Sequence, residues 1–156
     1  WNTYKFEGNK LIRVLNRIPC FQSMAFKLFG KKYSCYQGEV ISKLETMKKY
    51  KFAIAYENVK DEMGYITEKI FDVFIAGCVP IYWGAKNIKD YIPSSCFIDR
   101  REFKTNQEMY DFIKNMDDDR YIEYLYNIEK YLNSDQAKQF SVTVFARTII
   151  ENCIEL

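Results

Sequence analysis

Short apolar runs alternate with helical patterns along this chain, and the alternation limits the folds that it can adopt. Phe52–Tyr56 and Val79–Trp83 are apolar, β-compatible runs of the kind found in strands covered on both faces. Between them, the residues from Thr67 to Ala76 show helical periodicity, and Gly77 stands where a left-handed residue commonly ends a helix. Strands that alternate with helices at this spacing predict a parallel α/β sheet of the doubly wound, Rossmann-like kind.

Further elements are predicted on both sides of this central region. Apolar residues at helical spacing predict five more helices, at residues 11–18, 40–47, 109–116, 122–132 and 140–149. Shorter apolar runs predict strands at residues 24–29 and 97–98. The last three helices would form a helical carboxyl-terminal tail. With 156 residues the chain has room for one ordinary domain, so we predict a single domain over 1–156.

The composition excludes several classes of protein. Hydrophobic residues make up 48% of the chain, which favours a packed core over disorder. The 23 basic and 21 acidic side chains nearly balance, so the dense basic surface of a nucleic-acid-binding protein is not expected. No apolar run approaches the ~20 residues that a membrane-spanning helix needs, and we expect no membrane segment.

The histidine and cysteine content limits the chemistry. The chain has no histidine, which removes Ser-His-Asp and Cys-His catalysis and the usual zinc frameworks. The five cysteines are widely spaced and include no C-x-x-C pair. We therefore predict free thiols in a reducing compartment and no metal site.

The start of the helix at Thr67 is the most informative position for function. Thr67 can cap the helix through its hydroxyl, and the negative charge of Glu68 suits the positive end of the helix dipole. A lysine in the first turn is disfavoured by the dipole, so Lys69 needs solvent or an anion nearby. Free amides and a lysine together predict a phosphate or diphosphate site, beside which Glu68 and Asn58 could bind sugar hydroxyls. The alternative is a solvated Lys69 and a Glu68 that only compensates the dipole.

The ends of the two strands support a site at the same edge of the sheet. Ligands of open parallel sheets bind beyond the carboxyl ends of the strands, where Glu57, Asn58 and Gly84 lie. Gly84 would let a ligand or another backbone approach closely. The P-loop pattern and G-x-G-x-x-G are both absent, so these residues alone do not name the ligand.

Three motifs in this region identify a family by resemblance. Tyr50–Asn58 resembles the motif Y-K-F-x-x-x-F-E-N, Gly64–Ile70 resembles G-Y-x-T-E-K, and Ala76–Gly84 is similar to A-G-x-V-P-V-x-x-G. Their order and spacing match those of the α-1,3-fucosyltransferases, glycosyltransferase family 10. The resemblance extends over about Gly38 to Phe103, and the helical tail is compatible with it.

The resemblance implies a substrate and a set of site residues. The family transfers fucose from GDP-β-L-fucose to a glycan hydroxyl with inversion, and no cofactor or metal is expected. Lys69 would bind the donor diphosphate, and Glu68 would contact the fucose or ribose hydroxyls. Asn58 and Tyr65 would line the fucose-diphosphate pocket. The family also uses an arginine from an earlier helix, for which Arg13 is the best match and Arg17 or Lys10 the alternatives.

The resemblance also implies that this chain is one half of an enzyme. Such enzymes have a GT-B fold, and this chain corresponds to the carboxyl-terminal, donor-binding half without the amino-terminal acceptor domain. That domain would supply the general base and bind the glycan acceptor, so the chain alone is expected to be inactive. The setting would be cytoplasmic in a bacterial-type protein, or the Golgi membrane for a fragment of a eukaryotic enzyme. Two alternatives are a non-catalytic nucleotide-binding module or remnant, and a GT-B transferase with another nucleotide-sugar donor.

Other patterns have structural explanations. The acidic run Asp117–Asp119 resembles a metal cluster but is expected to end one helix and cap the next. The tyrosines at 121, 124, 126 and 131 are spaced to pack a helix against its neighbours. Trp83, at the end of its strand, is as compatible with facing a ligand as with ordinary burial.

Overall fold

A computed structural model describes residues 38–154 of the chain. The predicted helix at 11–18, the predicted strand at 24–29, Arg13, Cys20 and Cys35 lie outside the described residues. Helices α1 to α7 occupy Lys43–Met47, Glu68–Ile75, Ile88–Tyr91, Asn106–Lys114, Asp118–Leu132, Asp135–Lys138 and Val142–Ile154. Strands β1 to β3 occupy Phe52–Tyr56, Val79–Trp83 and Ile98–Asp99. Short 3₁₀ turns at Ser94–Cys96 and Arg100–Glu102 flank β3.

The strands form a parallel sheet with the order β1-β2-β3. β1 and β2 pair along their full lengths, from Phe52 opposite Val79 to Tyr56 opposite Trp83. β3 pairs only with the second half of β2, at Ile81 and Tyr82. Because α2 and the loop before it connect two neighbouring parallel strands, this part of the chain is a β-α-β unit. The prediction of a Rossmann-like α/β sheet flanked by helices is confirmed.

Pro80 lies in the central strand without disrupting the sheet. The amide of Val79 donates to the carbonyl of Lys51 at 2.9 Å, on the side of β1. The nitrogen of the next residue therefore faces the β3 side, because successive peptide groups of a strand alternate in direction. The pairing with β3 begins only at Ile81, so the missing N–H of Pro80 leaves no gap in the ladder.

The two long strands differ in burial. Residues Val79 to Tyr82 of β2 are all buried, as predicted for a strand covered on both faces. The same prediction is wrong for β1, since the side chain of Ile54 is 65% exposed. β1 is an edge strand of the described sheet, whereas β2 has a neighbouring strand on each side.

The hydrophobic core lies between the sheet and helices α2 and α5. α2 contributes Ile70, Val73 and Phe74, all buried, and α5 contributes Ile128 and Tyr131. The rings of Phe74 and Tyr131 meet edge to face with centroids 6.1 Å apart, an arrangement favoured by aromatic quadrupoles. This core fixes the position of α2 over the sheet.

Capping residues set most of the helix boundaries. Asp117 caps α5 by accepting a hydrogen bond from the Arg120 amide at 2.7 Å, as predicted for the acidic run. α1 is shorter than predicted because Ser42 caps it, and its hydroxyl accepts from the Glu45 amide at 3.2 Å. The exposed Val40 therefore precedes the helix instead of belonging to it.

The predicted roles of the tyrosines and cysteines are partly confirmed. Tyr121 packs against Phe52, and Tyr131 is buried, but Tyr126 is 63% exposed and does not pack as predicted. Burial raises the pKa of the free Cys96 thiol to about 11, which suits an unreactive thiol. Cys78 is likewise free and buried. Within residues 38–154, none of the helices has the length and apolar character needed to cross a membrane.

Candidate functional site

The carboxylate of Glu57 is the centre of the polar cluster at the end of β1. Its side chain is completely buried. Oε1 accepts a hydrogen bond from the Thr67 amide at 2.8 Å, and Oε2 accepts one from the Thr67 hydroxyl at 2.7 Å. Because Glu57 follows β1 and Thr67 caps α2, this carboxylate ties the end of the strand to the start of the helix.

Lys69 reaches back from the first turn of α2 to the end of β1. Its ammonium donates to Oδ1 of Asn58 at 2.9 Å and lies 3.4 Å from Oε2 of Glu57. The Lys69 side chain is 25% exposed, so part of it remains accessible to solvent. The structure thus brings together two of the predicted binding residues, Asn58 and Lys69.

This arrangement leaves the ammonium able to bind an anion. A protonated lysine has three N–H donors, and Asn58 and Glu57 account for two of them. Asn58 is neutral and exposed, so among residues 38–154 the more distant Glu57 is the group that offsets the lysine charge. Within the described part of the chain, Lys69 is therefore an oriented cation with one donor left for a phosphate oxygen.

The start of α2 is less open than the sequence indicates. Thr67 is the N-cap as predicted, and its hydroxyl accepts from the Lys69 amide at 3.5 Å. The protein's own Glu57 accepts the Thr67 amide, so part of the predicted anion site is occupied by a carboxylate of the chain. An external anion would therefore bind mainly through the side chain of Lys69.

The loop between β1 and α2 is held against the end of β2. The amide of Gly64 donates to Oδ1 of Asn87 at 2.8 Å, and the amide of Asp61 donates to the carbonyl of Gly84 at 3.0 Å. Gly64 has a φ of 71°, which a glycine adopts without strain, and Asp61 has a φ of 65°. These contacts place the loop that carries Tyr65 at the carboxyl edge of the sheet, beside Lys69.

Gly84 has a different role from the one predicted. A Cβ at this position would lie 2.5 Å from Cγ of Glu57 and would clash with the ring of Tyr82. The side chains that approach Gly84 closely are therefore the protein's own. The absence of a side chain at Gly84 makes the space in which the Glu57 carboxylate is buried.

A second buried carboxylate lies at the same edge, at the end of β3. Asp99 accepts two hydrogen bonds from the guanidinium of Arg101, at 2.8 and 2.7 Å, and one from the Arg101 amide. Burial raises the pKa of Asp99, but the hydrogen bonds from Arg101 outweigh it, so this pKa is below its usual value of 3.8. Arg101 also donates to the carbonyl of Ala85 at 3.3 Å, which joins β3 to the segment after β2.

Trp83 is half-buried and surrounded by side chains of its own chain. Its ring meets that of Tyr56 edge to face, with centroids 5.8 Å apart. The ammonium of Lys60 and the guanidinium of Arg100 lie 5.5 and 5.7 Å from the ring centroid. These contacts account for the position of the ring.

Two other predicted site residues, Glu68 and Tyr65, lie at the start of α2 and in the loop before it. Glu68 is the first residue of α2 and is exposed, and Tyr65 is half-buried in the preceding loop. Arg13 lies outside the described residues. The sequence placed Glu57 at this edge of the sheet but assigned it no role, although the pattern contains a signal for its burial. Side chains alternate along a strand, so Glu57 lies on the same side as the buried Ala55.

Cavities and metal-binding groups do not point to another centre. Among residues 38–154, no group of three or more cysteine, aspartate or glutamate side chains is arranged to hold a metal ion. Four surface cavities, of about 140 to 570 Å³, are lined mainly by residues of α2, α4 and α5. None of these four is lined by Glu57, Thr67 or Lys69.

Comparison with known proteins relates this chain to one family. The family model for the carboxyl-terminal part of glycosyltransferase family 10 (fucosyltransferase) matches residues 9–156. An α-(1,3)-fucosyltransferase of Helicobacter pylori is 35% identical over 124 residues, which cover 72% of this chain and 25% of that protein. An α-(1,4)-fucosyltransferase of Arabidopsis thaliana is 42% identical over 73 residues, which cover 47% of this chain and 18% of that protein.

A solved structure of a fucosyltransferase also resembles this chain. A crystal structure of an α1,3-fucosyltransferase with GDP superimposes with a TM-score of 0.53 and 31% sequence identity. The match covers 63% of this chain and 28% of the other. The chain therefore spans about a quarter of the length of the relatives that it matches.

Proposed function

The chain belongs to the fucosyltransferases of glycosyltransferase family 10, and on that premise we propose that it binds GDP-β-L-fucose as the donor-binding part of a GT-B transferase. One observation carries the proposal: Asn58 and Glu57 hold the Lys69 ammonium at the carboxyl edge of a parallel sheet, and its third donor has no acceptor among residues 38–154. Diphosphates bind at this edge in open α/β folds.

The chemistry of fucose transfer suits this arrangement. As the bond from fucose to the diphosphate breaks, negative charge increases on the β-phosphate oxygen. An oriented ammonium stabilises that charge without a metal, because the cation is in place before the reaction begins. We assign this role to Lys69, with Arg13 as a second phosphate ligand.

The other predicted residues would contact the sugar and the ribose. Glu68 is exposed at the start of α2, next to Lys69, and its carboxylate can accept hydrogen bonds from fucose or ribose hydroxyls. Asn58 retains amide N–H donors, because Lys69 contacts only its oxygen. Tyr65 would form the loop side of the fucose-diphosphate pocket.

The remaining parts of the reaction are assigned to protein beyond this chain's match. Transfer to a glycan hydroxyl requires a general base for the hydroxyl proton, which in an inverting reaction acts on the face opposite the leaving group. Since the chain spans about a quarter of its relatives, we place the base and the acceptor site in the other three quarters. The α-1,3 linkage in this proposal follows the α-(1,3) relative and the superimposed α1,3-fucosyltransferase.

Calorimetric titration with GDP, UDP and ADP tests the proposal. We expect selective binding of GDP, and we expect Lys69→Ala to weaken it about tenfold or more, the value of a charge-assisted hydrogen bond. Lys43→Ala is the matched control, since it removes an exposed lysine paired with Asp72 and leaves the site intact. Equal GDP affinity in wild type and Lys69→Ala would overturn the phosphate role.

Two further measurements bear on the alternative functions. If UDP or ADP binds in preference to GDP, the chain uses another nucleotide-sugar donor. If fucosylated product forms when an acceptor and GDP-fucose are added, the chain is not a non-catalytic module. No product is expected if the base lies in the other three quarters of the relatives, so that result is shared with the binding module.

A further inference from the structure

We propose that Glu57 is a positioning residue for donor binding, whose buried carboxylate sets the orientation of Lys69 and of the first turn of α2. The inference rests on the function proposed above and adds a residue to it. The Glu57 side chain is completely enclosed, so it acts on a ligand only through the residues that it holds.

The contacts of the carboxylate control the cap of α2. Oε2 of Glu57 accepts the only proton of the Thr67 hydroxyl, at 2.7 Å. The lone pairs of that hydroxyl are therefore turned toward the Lys69 amide, 3.5 Å away. Oε1 accepts the Thr67 amide at 2.8 Å, so both the backbone and the side chain of the cap are fixed by one carboxylate.

The surroundings of Glu57 keep the carboxylate in one place. Its own amide donates to the carbonyl of Trp83 at 2.8 Å, which extends the pairing of β1 with β2 by one residue. A Cβ on residue 84 would lie 2.5 Å from the Cγ of Glu57 and would clash with the hydroxyl of Tyr82. The Tyr82 hydroxyl in turn accepts from the Ala85 amide at 3.0 Å, so the wall of this space is itself hydrogen-bonded.

The geometry of Lys69 depends on two partners with different effects. Asn58 provides the shorter contact, 2.9 Å, but its side chain is exposed and carries no charge. Glu57 is 3.4 Å away, buried and charged, and it therefore restricts the ammonium to the side of the helix start. Without Glu57, the long side chain of Lys69 would regain rotamers that point into solvent.

Positioning and simple electrostatics predict opposite results for the loss of this carboxylate. A negative charge 3.4 Å from Lys69 offsets part of its attraction for phosphate, so electrostatics alone predicts tighter GDP binding after neutralisation. Positioning predicts weaker binding, because the ammonium and the helix start must then be ordered when the ligand binds. The sign of the change therefore identifies the role.

The first experiment is calorimetric titration of GDP into wild type, Glu57→Gln and Asp99→Asn. Glu57→Gln keeps the size of the side chain and one oxygen acceptor but removes the charge. We expect GDP affinity to fall about tenfold. Asp99→Asn neutralises another buried carboxylate at the same edge, paired with Arg101, and should leave the affinity within about twofold because the two sites share no partner. GDP affinity in Glu57→Gln equal to or tighter than that of wild type would overturn the proposal.

A second experiment needs no nucleotide and separates the two proposals. The ammonium signal of Lys69 in ¹H–¹⁵N NMR spectra is observable when the group is held in hydrogen bonds. We expect it in wild type and Asp99→Asn but not in Glu57→Gln, while thermal melts show that all three proteins are folded. If wild type binds no GDP, the proposed function fails, and this comparison still decides whether Glu57 orders Lys69. A Lys69 signal that persists unchanged in Glu57→Gln would refute the positioning role.

Discussion

At the scale of single residues, two buried carboxylates at one sheet edge are compensated in different ways. Asp99 receives a two-pronged guanidinium contact from Arg101, which satisfies both oxygens with charge and geometry. Glu57 receives two neutral donors from Thr67 and only a longer contact from the ammonium of Lys69. Asp99 and Arg101 thus satisfy each other, whereas Lys69 can still bind an anion.

The lowered pKa of Asp99 predicts a pH-dependent stability. Because its pKa in the folded state is below 3.8, the folded state binds this proton less tightly than the unfolded state. The resulting stability is present above the unfolded value and is lost as the pH falls through the folded value. Urea unfolding should therefore show a difference between wild type and Asp99→Asn that is largest near neutral pH and shrinks in acid.

The control for this prediction is Asp135→Asn. Asp135 forms an ion pair with Lys138, but its side chain is 92% exposed, so solvent screens the interaction. We expect a smaller and flatter difference from wild type for this variant. A difference for Asp99→Asn that stays constant as the solution is acidified would contradict the assigned role of Arg101.

At the scale of the element, α2 is defined by distinct signals at its two ends. Thr67 caps the start, and Gly77, with a φ of 73°, follows the end. The amide of Cys78 donates to the carbonyl of Val73 at 3.1 Å, and the amide of Gly77 donates to the carbonyl of Phe74 at 3.0 Å. These are the two hydrogen bonds of a Schellman motif. Both ends were predicted from the sequence, because each depends on residues within one turn of the helix.

Two substitutions of Thr67, the cap of α2, separate the contribution of its hydroxyl to stability from that of its methyl group. Thr67→Ala removes the acceptor for the Lys69 amide and the donor to Glu57, and should lower the free energy of unfolding by about 1 to 2 kcal/mol. Thr67→Ser keeps the hydroxyl and should lose only a small part of that stability. Chemical denaturation of the two variants tests this, and equal destabilisation would mean that the hydroxyl is not the stabilising group.

At the scale of the whole molecule, the core lies between the sheet and helices α2 and α5, and the last helix, α7, contributes little to it. Phe74 of α2 is 3% exposed and lies in the core. By contrast, Val142, Phe145 and Ile150 of α7 are 84%, 67% and 56% exposed. The stability of the described residues is thus expected to depend on the contacts of α2 and α5 with the sheet.

Truncation of two phenylalanines tests this distribution. Phe74→Ala should lower the free energy of unfolding by about 3 to 5 kcal/mol, the usual cost of deleting a buried aromatic ring. Phe145→Ala should change it by about 0.5 kcal/mol or less, as for other exposed positions. Equilibrium unfolding in urea provides both values. A large loss for Phe145→Ala would show that α7 packs more tightly in solution than the structure indicates.

The sequence was sufficient to predict features that depend on local chemistry. The β-α-β order, the bounds of β1 and β2, the cap at Thr67 and the Gly77 ending each depend on a few adjacent residues, and all are confirmed. Three ordered motifs were also enough to identify the family. The site roles of Lys69, Asn58, Glu68 and Tyr65 remain predictions, although the structure places the first two in contact.

Only the tertiary structure decided how the site is built. The burial of Glu57 depends on the absence of a side chain at Gly84 and on the ring of Tyr82, which lie more than 20 residues away in the chain. The contact of Arg101 with the carbonyl of Ala85, 16 residues earlier, and the exposure of Ile54 in β1 likewise depend on how distant segments pack. A local pattern specifies which residues can cap, turn or pair, because those effects act within a few bonds. Which charge is enclosed and which stays open depends on distant segments packing together, and that is a property of the folded chain.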